Sequence, residues 1–256
     1  MNGTVQIGCL GGLGRFGNQL FQYACARGYA RKVGAQLETN KWIGQTLFKN
    51  VNDPPLSKQL PQLPMDVVPL DMQTNFCFYG YFQYSSAFDL YTLSDLREWF
   101  TFQDWVHEEM AEYQPPPLVA HLRRGDYLTT YASVFCTIDE SAYVSAIKEH
   151  VSYVSATKEH VSYGIHVHWV REDKPLVYKR PGMEWLIDFT TMMKAEILFR
   201  ANSTFSWWAA TLGNRKLVYS PIVEGLRGHQ TDVKFVVGNA PRCVDLPNVH
   251  NYHIKP

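Results

Sequence analysis

Residues 118–127 read Leu-Val-Ala-His-Leu-Arg-Arg-Gly-Asp-Tyr, an apolar run followed at once by two arginines and a turn. The apolar start is typical of a buried strand, and Gly125-Asp126-Tyr127 of a turn. Two neighbouring guanidiniums repel each other, so they stay together where an anion lies between them or where both reach solvent. Arginine matches the oxygens of a phosphate, and α/β folds bind ligands at the carboxyl ends of their strands. Arg123-Arg124 therefore predicts a pyrophosphate site, with a solvated basic turn and an Arg-Gly-Asp adhesion loop as alternatives.

The composition of the chain limits the class of protein. Its 256 residues are 46% hydrophobic, which is enough for one large core or two small ones. Lys+Arg and Asp+Glu are equal at 24 each, so the overall positive charge typical of nucleic-acid binders is missing. Residues 1–10 lack the features of a signal peptide, and no apolar run is long enough to span a membrane. We therefore expect a soluble chain, or the trimmed soluble part of one.

Cysteines and histidines argue against a disulfide framework and against a metal site. The five cysteines are scattered, odd in number and never paired as Cys-x-x-Cys (Cys9, Cys25, Cys77, Cys136 and Cys243). This pattern is typical of free thiols in a reducing compartment. His166 and His168 share one face of a predicted strand, but no carboxylate or cysteine follows at a matching spacing. We expect no metal.

A glycine-rich segment near the start of the chain predicts a second anion-binding turn. Residues 5–10 resemble a strand, residues 11–19 read Gly-Gly-Leu-Gly-Arg-Phe-Gly-Asn-Gln, and residues 20–26 have helical character. Strand, glycine turn and helix together aim backbone N–H groups at an anion. The spacing is neither the dinucleotide fingerprint nor a P-loop, so the glycines alone indicate only a tight turn. Arg15 and Asn18 strengthen the functional interpretation, because both can donate to a phosphate or a sugar hydroxyl.

The middle of the chain suggests two lobes. Residues 41–71 predict long loops, the aromatic residues 76–84 predict a core strand pair, and residues 94–110 predict an amphipathic helix with Ser94 as N-cap. Pro115-Pro116-Pro117 cannot be helical and forms a stiff connector. We therefore divide the chain into an N-terminal lobe, 1–114, and a C-terminal lobe, 115–256.

A tandem repeat follows the arginine pair. Residues 143–152 recur as residues 153–162 with one substitution, Thr157 for Ile147. In a straight helix, a ten-residue step rotates the second apolar stripe by about 80° from the first. We therefore interpret the repeat as a local duplication or a sequence error, with one copy helical and the other partly exposed. A strand over 165–170 and a helix over 185–198 are predicted after the repeat.

Residues 202–210, Asn-Ser-Thr-Phe-Ser-Trp-Trp-Ala-Ala, form the third motif. It follows an apolar segment, and its small polar side chains supply N-caps, hydroxyl groups and exposed amides at a strand-to-helix junction. An ordinary capped helix is the alternative. The motif also matches a glycosylation signal, which the missing secretory signature argues against.

Four blocks of the sequence, taken together, resemble the fucosyltransferases of glycosyltransferase family 11. They occur in the family's order and span nearly the whole chain: residues 14–24, 80–83, 121–127 and 202–208. The resemblance implies an α/β, GT-B-like fold, with two Rossmann-like lobes and the donor site in the cleft. It implies transfer of L-fucose from GDP-fucose to a galactoside hydroxyl, typically the 2-hydroxyl, with inversion and without a divalent metal.

The same resemblance assigns roles to individual residues. Arg123 and Arg124 stabilise the leaving diphosphate, and Asp126 is the nearest acid. His121 lies beside the nucleotide, and an acid equivalent to Asp188 bonds guanine in related enzymes. The remaining expected substrate contacts are Arg15, Gly17, Asn18, Asn202, Ser203, Thr204 and Phe205. The expected partners are GDP-fucose and a galactoside-terminated glycan, without nucleic acid, and the location is cytoplasmic or peripheral at the membrane face where glycans are assembled.

Several points stay open at the level of the sequence. The general base is a carboxylate or histidine, or is absent in an ion-pair mechanism. Where the family pattern has Ser-Asp-Asp after the central strand, this chain has Arg171-Glu172-Asp173, which puts any role for that turn in doubt. The alternatives are another GDP-sugar transferase, such as a protein O-fucosyltransferase, and an inactive nucleotide- or glycan-binding homologue.

Overall fold

The computed structural model describes residues 3–111, 113–114, 117–157, 167–171, 182–214, 217–223 and 227–239. They form two compact units, the first ending at Glu109 and the second beginning at Met110. Two prolines of the predicted connector, Pro115 and Pro116, lie outside the described residues. The predicted lobe boundary after residue 114 stays a prediction.

The first unit is built on a three-stranded parallel sheet. Strand β1 lies in the middle, and its Val5 pairs with Leu37 on one side and with Phe76 on the other. Val5 and Ile7 are fully buried. The elements of this unit are β1 (Thr4–Ile7), α1 (Phe16–Val33), β2 (Gln36–Thr39), α2 (Gly44–Leu47), β3 (Phe76–Phe78), α3 (Ser85–Phe88), α4 (Leu93–Trp99) and α5 (Asp104–Ala111), the last of which crosses into the second unit.

Helix α1 connects β1 with β2 and is buried along most of its length. It begins after Arg15, where the glycine loop ends, and it ends at Gly34. The φ of Gly34 is 68°, and its N–H donates to the last carbonyls of the helix, as in a common glycine C-cap. The glycine loop is therefore fixed between a buried strand and a buried helix.

Gly28 is the tightest point of α1, and its replacement tests the packing. A Cβ at Gly28 would lie 2.6 Å from the backbone oxygen of Leu90, which cannot turn aside as a side chain could. We expect Gly28→Ala to lower the free energy of unfolding by about 2 kcal/mol, although alanine is the better helix former. Chemical denaturation measures this, with Lys32→Ala on the exposed side of α1 as control. If Gly28→Ala instead stabilises the protein, the close approach of the Leu90 backbone oxygen to Gly28 is contradicted.

The helix predicted over 94–110 is two helices, α4 and α5. Thr92, not Ser94, is the N-cap of α4, because it forms a reciprocal capping box with Asp95. Between the helices, Phe102 makes an antiparallel bridge with Phe48 and stacks on its ring, with centroids 5.1 Å apart. Tertiary pairing of this phenylalanine breaks a pattern that is helical in the sequence alone.

The second unit contains a five-stranded sheet in the order β10-β8-β7-β4-β6, parallel except for the edge strand β10. All five residues of β4 are buried, as expected for a central parallel strand. Its elements are β4 (Leu118–Leu122), a 3-10 helix (Gly125–Tyr127), β5 (Thr137–Ile138), α6 (Glu140–Thr157), β6 (Val167–Arg171), α7 (Trp185–Lys194), β7 (Ile197–Phe199), α8 (Thr204–Leu212), β8 (Leu217–Ile222), β9 (His229–Gln230) and β10 (Lys234–Val237).

Helix α6 contains the first copy of the tandem repeat and the first five residues of the second. The first copy buries Tyr143, Ile147 and His150, which share one helix face. Tyr143 and Ile147 belong to the core around β4. The burial predicted for the second copy lies outside the described residues.

The helix predicted over 185–198 ends at Lys194, and Ile197 already begins β7. β7 pairs with β4 on one side and β8 on the other, so sheet formation overrides the helical pattern at this point. Among the described residues, Cys9, Cys25, Cys77 and Cys136 are free thiols, as the sequence predicts.

Candidate active site

The arginine pair lies at the carboxyl edge of the sheet in the second unit. Parallel strands β6, β4 and β7 are neighbours, so the residues that follow them meet at one edge. Ala120 pairs with Phe199, and Leu122 pairs with Arg171. Four arginines therefore share this edge: Arg123, Arg124, Arg171 and Arg200.

Arg123 is held in place by its own turn. Its guanidinium is buried, forms an ion pair with the Asp126 carboxylate, and lies 4.4 Å from the centroid of the Tyr127 ring. A carboxylate and an aromatic face together fix the plane of an arginine. The structure thus pairs the Asp126 carboxylate with Arg123.

Arg124 is held less tightly. The hydrogen bond recorded for its guanidinium within the described chain runs from Nη1 to the backbone oxygen of Arg123, at 3.1 Å. The side chain is half-buried, and the following Gly125 has a φ of 47° that lets the chain turn away. Arg124 therefore has donors left for an anion at the sheet edge.

His121 ends the buried part of β4 and has unusual surroundings. Its side chain is fully buried, and neither ring nitrogen has a hydrogen-bond partner within the described residues. Burial is the main reason why the pKa of His121 falls to about 3, and nearby positive charges lower it further (Arg123, Arg200 and Arg124). The imidazole is therefore neutral at working pH and can donate one hydrogen bond and accept another. A buried polar group without a partner is the feature expected beside a ligand.

The third motif forms the loop before α8 and the start of that helix. Ser203 caps α8, its Oγ accepting from the Phe205 N–H at 3.3 Å. Asn202 donates to the backbone oxygen and the Sγ of Cys136, both at 3.2 Å, which ties this loop to the segment after the arginine pair. The Phe205 and His121 ring centroids are 6.1 Å apart. The N-terminus of α8, which begins at Thr204, thus lies next to the arginine turn.

Asp188 lies in the first turn of α7, the helix that packs against α8. Burial raises the pKa of its carboxyl to about 7, because an ionised carboxylate loses hydration there. The Phe205 ring packs against two aromatic rings of α7, Trp185 at 6.1 Å and Phe189 at 5.1 Å between centroids. Phe205 therefore connects the helix of Asp188 with His121.

Three predicted residues lie together in the first unit. Arg15 is exposed at the N-cap position of α1, Gly17 is buried in its first turn, and the Asn18 Oδ1 accepts from Gln83 Nε2 at 3.0 Å. The structure therefore joins the glycine loop to the block of residues 80–83. Their role in donor binding stays a prediction.

The aromatic block after β3 is a turn, and the predicted second strand of a pair is wrong for residues 79–84. The Asp66 carboxylate accepts from the N–H groups of Tyr81 at 2.6 Å and Phe82 at 2.8 Å. Gly80 and Phe82 have positive φ angles, 150° and 53°, which a strand does not allow. A side chain distant in sequence imposes this turn.

Arg200 is the residue at this edge that the sequence analysis missed. It follows β7 directly and is fully buried, with Nε donating to Ser220 Oγ at 2.7 Å and Nη1 to the Ala201 oxygen at 3.0 Å. Its position directly after an apolar segment, like that of Arg123, is the sequence feature that could have identified it.

Arg171 lies at the position that departs from the family pattern. Its guanidinium contacts Glu140 Oε2 at 3.2 Å.

Metal-binding clusters and membrane-spanning helices are both missing from the described residues. These residues contain no group of three or more metal-ligating side chains arranged to hold a metal ion. Their helices also include none that is long and apolar enough to cross a membrane. His166, one half of the predicted His-x-His pair, and residues 172–173 lie outside this part of the chain.

Comparison with solved structures identifies the fold. NodZ alpha-1,6-fucosyltransferase soaked with GDP-fucose is 12% identical, with 92% of this chain and 99% of that chain covered and a TM-score of 0.53. A selenomethionine form of NodZ from Bradyrhizobium gives 13% identity, 92% and 99% coverage and a TM-score of 0.50. A point mutant of Arabidopsis thaliana FUT1 in complex with GDP is 12% identical, with 88% of this chain and 72% of that chain covered and a TM-score of 0.50. The fold of this chain is GT-B-like, as the sequence resemblance predicts.

Comparison of the sequence with protein families gives a more specific result. A search of the curated proteins finds no significant match. The model of glycosyl transferase family 11, in contrast, matches residues 57–224, well over half of the 256 residues. The match includes the arginine turn, α7 and the start of α8. The chain therefore belongs to glycosyl transferase family 11.

Proposed function

We propose that this protein transfers L-fucose from GDP-fucose to a galactoside hydroxyl, the 2-hydroxyl by family resemblance, with inversion and without a divalent metal. The observation that carries the proposal is the sheet edge in the second unit. There Arg124, the unpartnered His121 and the N-terminus of α8 provide donors for a diphosphate. A diphosphate leaving group and a fucosyltransferase family together favour GDP-fucose as donor.

The chemical step breaks one bond and forms one. The acceptor oxygen bonds C1 of fucose, the bond from C1 to the β-phosphate oxygen breaks, and its electron pair leaves with GDP. Negative charge grows on that phosphate, where the Arg124 guanidinium and the first amides of α8 stabilise it. One such preorganised donor contributes about 10²- to 10³-fold in rate.

Arg123 and Asp126 have a positioning role in this scheme. Because the Asp126 carboxylate is bound to Arg123, its use as a general base would break an ion pair that is largely buried. We therefore assign Asp126 to the orientation of Arg123. The reaction then has strong oxocarbenium character, and the acceptor oxygen loses its proton to water after it has bonded C1.

Asp188 provides the proposed guanine contact. Guanine offers two neighbouring N–H donors, at N1 and N2, which one carboxylate can accept. Burial raises the pKa of the Asp188 carboxyl, so its ionised form gains from hydrogen-bond donors placed beside it. Binding of guanine would stabilise the ionised form.

The decisive experiment incubates the protein with GDP-fucose, EDTA and a panel of galactosides, and detects products by mass and linkage by NMR. A fucosylated galactoside with a 2-linkage is expected. A product with a 6-linkage, or a fucosylated protein, would show that the proposed galactoside 2-hydroxyl is not the acceptor group. Loss of transfer in EDTA that Mg²⁺ restores would contradict the metal-free mechanism, and GDP binding without any turnover would identify an inactive homologue.

A further inference from the structure

An exposed row of apolar side chains begins directly after the arginine turn. Leu128, Tyr131 and Val134, which we call the apolar row, are 53%, 44% and 45% exposed. They are three residues apart in a series of tight turns, with N–H groups bonded three to five residues back. Tyr131 and Val134 belong to one turn, since the Val134 N–H donates to the Tyr131 oxygen at 2.9 Å. The row therefore exposes three apolar side chains within a stretch of seven residues.

A stack of aromatic rings connects the apolar row with the proposed diphosphate site. The Arg123 guanidinium lies on Tyr127, Tyr127 stacks on Phe135 with centroids 4.8 Å apart, and Phe135 meets Tyr131 at 5.9 Å. Phe135 is half-buried and packs edge-on against the exposed Tyr131 ring. The row is thus positioned by the same turn that positions the arginines.

The segment that carries the apolar row has no charge of its own. No charged residue occurs between Asp126 and Asp139, although 19% of the chain is charged. The row is also small: about half of three side chains is exposed, far below the ~800 Å² that each partner of a stable protein complex buries. It matches the size of one alkyl or aryl group.

We infer that the apolar row binds an apolar aglycone, an alkyl or aryl group that the galactoside acceptor carries at its reducing end. This inference rests on the proposed function and adds an acceptor class to it. The row continues the turn that holds the arginines, so an acceptor that reacts there can reach it. Contact with the row removes apolar surface of the aglycone and of three side chains from water.

The test compares hexyl β-galactoside with methyl β-galactoside, both below the concentration at which the hexyl compound aggregates. Calorimetry with saturating GDP measures binding, and initial rates with GDP-fucose measure transfer. We expect about tenfold tighter binding and about tenfold higher kcat/KM for the hexyl compound. In Leu128→Ser/Tyr131→Ser/Val134→Ser, both differences should disappear while the affinity for GDP is unchanged.

A matched control places the same change elsewhere on the surface. Leu70→Ser/Met72→Ser alters two exposed apolar residues of the first unit, 94% and 52% exposed, and should retain the preference for the hexyl compound. Equal binding of both galactosides by the wild-type protein would overturn the inference even if transfer occurs. So would dimerisation or vesicle binding that depends on the row. A binding preference without any transfer would leave the inference standing and contradict the proposed function.

Discussion

Arg124→Ala is expected to lower kcat by about 10³-fold while the fold stays intact. The Arg124 guanidinium is half-buried at the sheet edge, and its recorded bond goes to a neighbouring backbone oxygen. Its removal therefore takes little from the folded protein but removes a charge from the departing diphosphate. Steady-state rates with GDP-fucose and a galactoside measure the loss of kcat. Chemical denaturation measures the free energy of unfolding, which should stay within about 0.5 kcal/mol of the wild type.

Two variants distinguish this role from a general effect of charge. Arg97→Ala removes an exposed arginine of α4 in the first unit and should leave kcat unchanged. Arg124→Lys keeps the charge but loses the planar fork, so it should recover only part of the rate. If Arg124→Ala turns over within about threefold of the wild type, Arg124 is not the diphosphate ligand.

Arg123→Ala should behave differently, because Arg123 is bound to its own turn. Its loss leaves the Asp126 carboxylate, whose side chain is only 13% exposed, without this ion pair. We expect the free energy of unfolding to fall by about 3 kcal/mol, together with activity. Denaturation midpoints of the two alanine variants, measured side by side, test the assignment. Equal stability of the two proteins would contradict a positioning role for Arg123.

Much of the second unit could be predicted from the sequence because its signals are local. The apolar run at 118–122, the turn at Gly125 and the serine cap at 203 each depend on neighbouring residues, and the structure has a strand, a turn and a helix start at these places. Parallel pairing then brings the ends of β4 and β7 together, which explains why motifs far apart in sequence lie at one edge.

Two of the incorrect predictions depend on distant contacts. The break between α4 and α5 depends on Phe48, and the turn at residues 80–82 depends on Asp66. Neither residue is close in sequence to the segment it shapes. Arg200 was missed for a different reason. Its strand is only three residues long and follows a helix closely, so a helical pattern obscured the strand end that would have marked it.

The affinity for GDP should depend on pH through Asp188. Burial holds the pKa of this carboxyl at about 7 in the free protein, and guanine requires the ionised form. Below pH 7 the proton must leave before guanine binds, so we expect the affinity to fall by about tenfold per pH unit. Above pH 8 it should be constant. The stability of the fold changes in the opposite direction. Because the pKa of Asp188 is raised from 3.8 to about 7, its ionisation lowers the free energy of unfolding as the pH rises between these two values, and the loss levels off above 7.

Asp188→Asn separates this effect from the titration of GDP itself. The phosphate of GDP also ionises near neutral pH, but it does so equally with both proteins, so the ratio of their dissociation constants reports Asp188 alone. We expect the variant to bind GDP about 10- to 100-fold more weakly at pH 8, because a hydrogen-bonded charge is lost, and the ratio to approach one at pH 5. Glu184→Gln, one turn earlier in the chain, should leave the pH dependence unchanged. A ratio that is constant between pH 5 and pH 8 would show that guanine does not bind at Asp188.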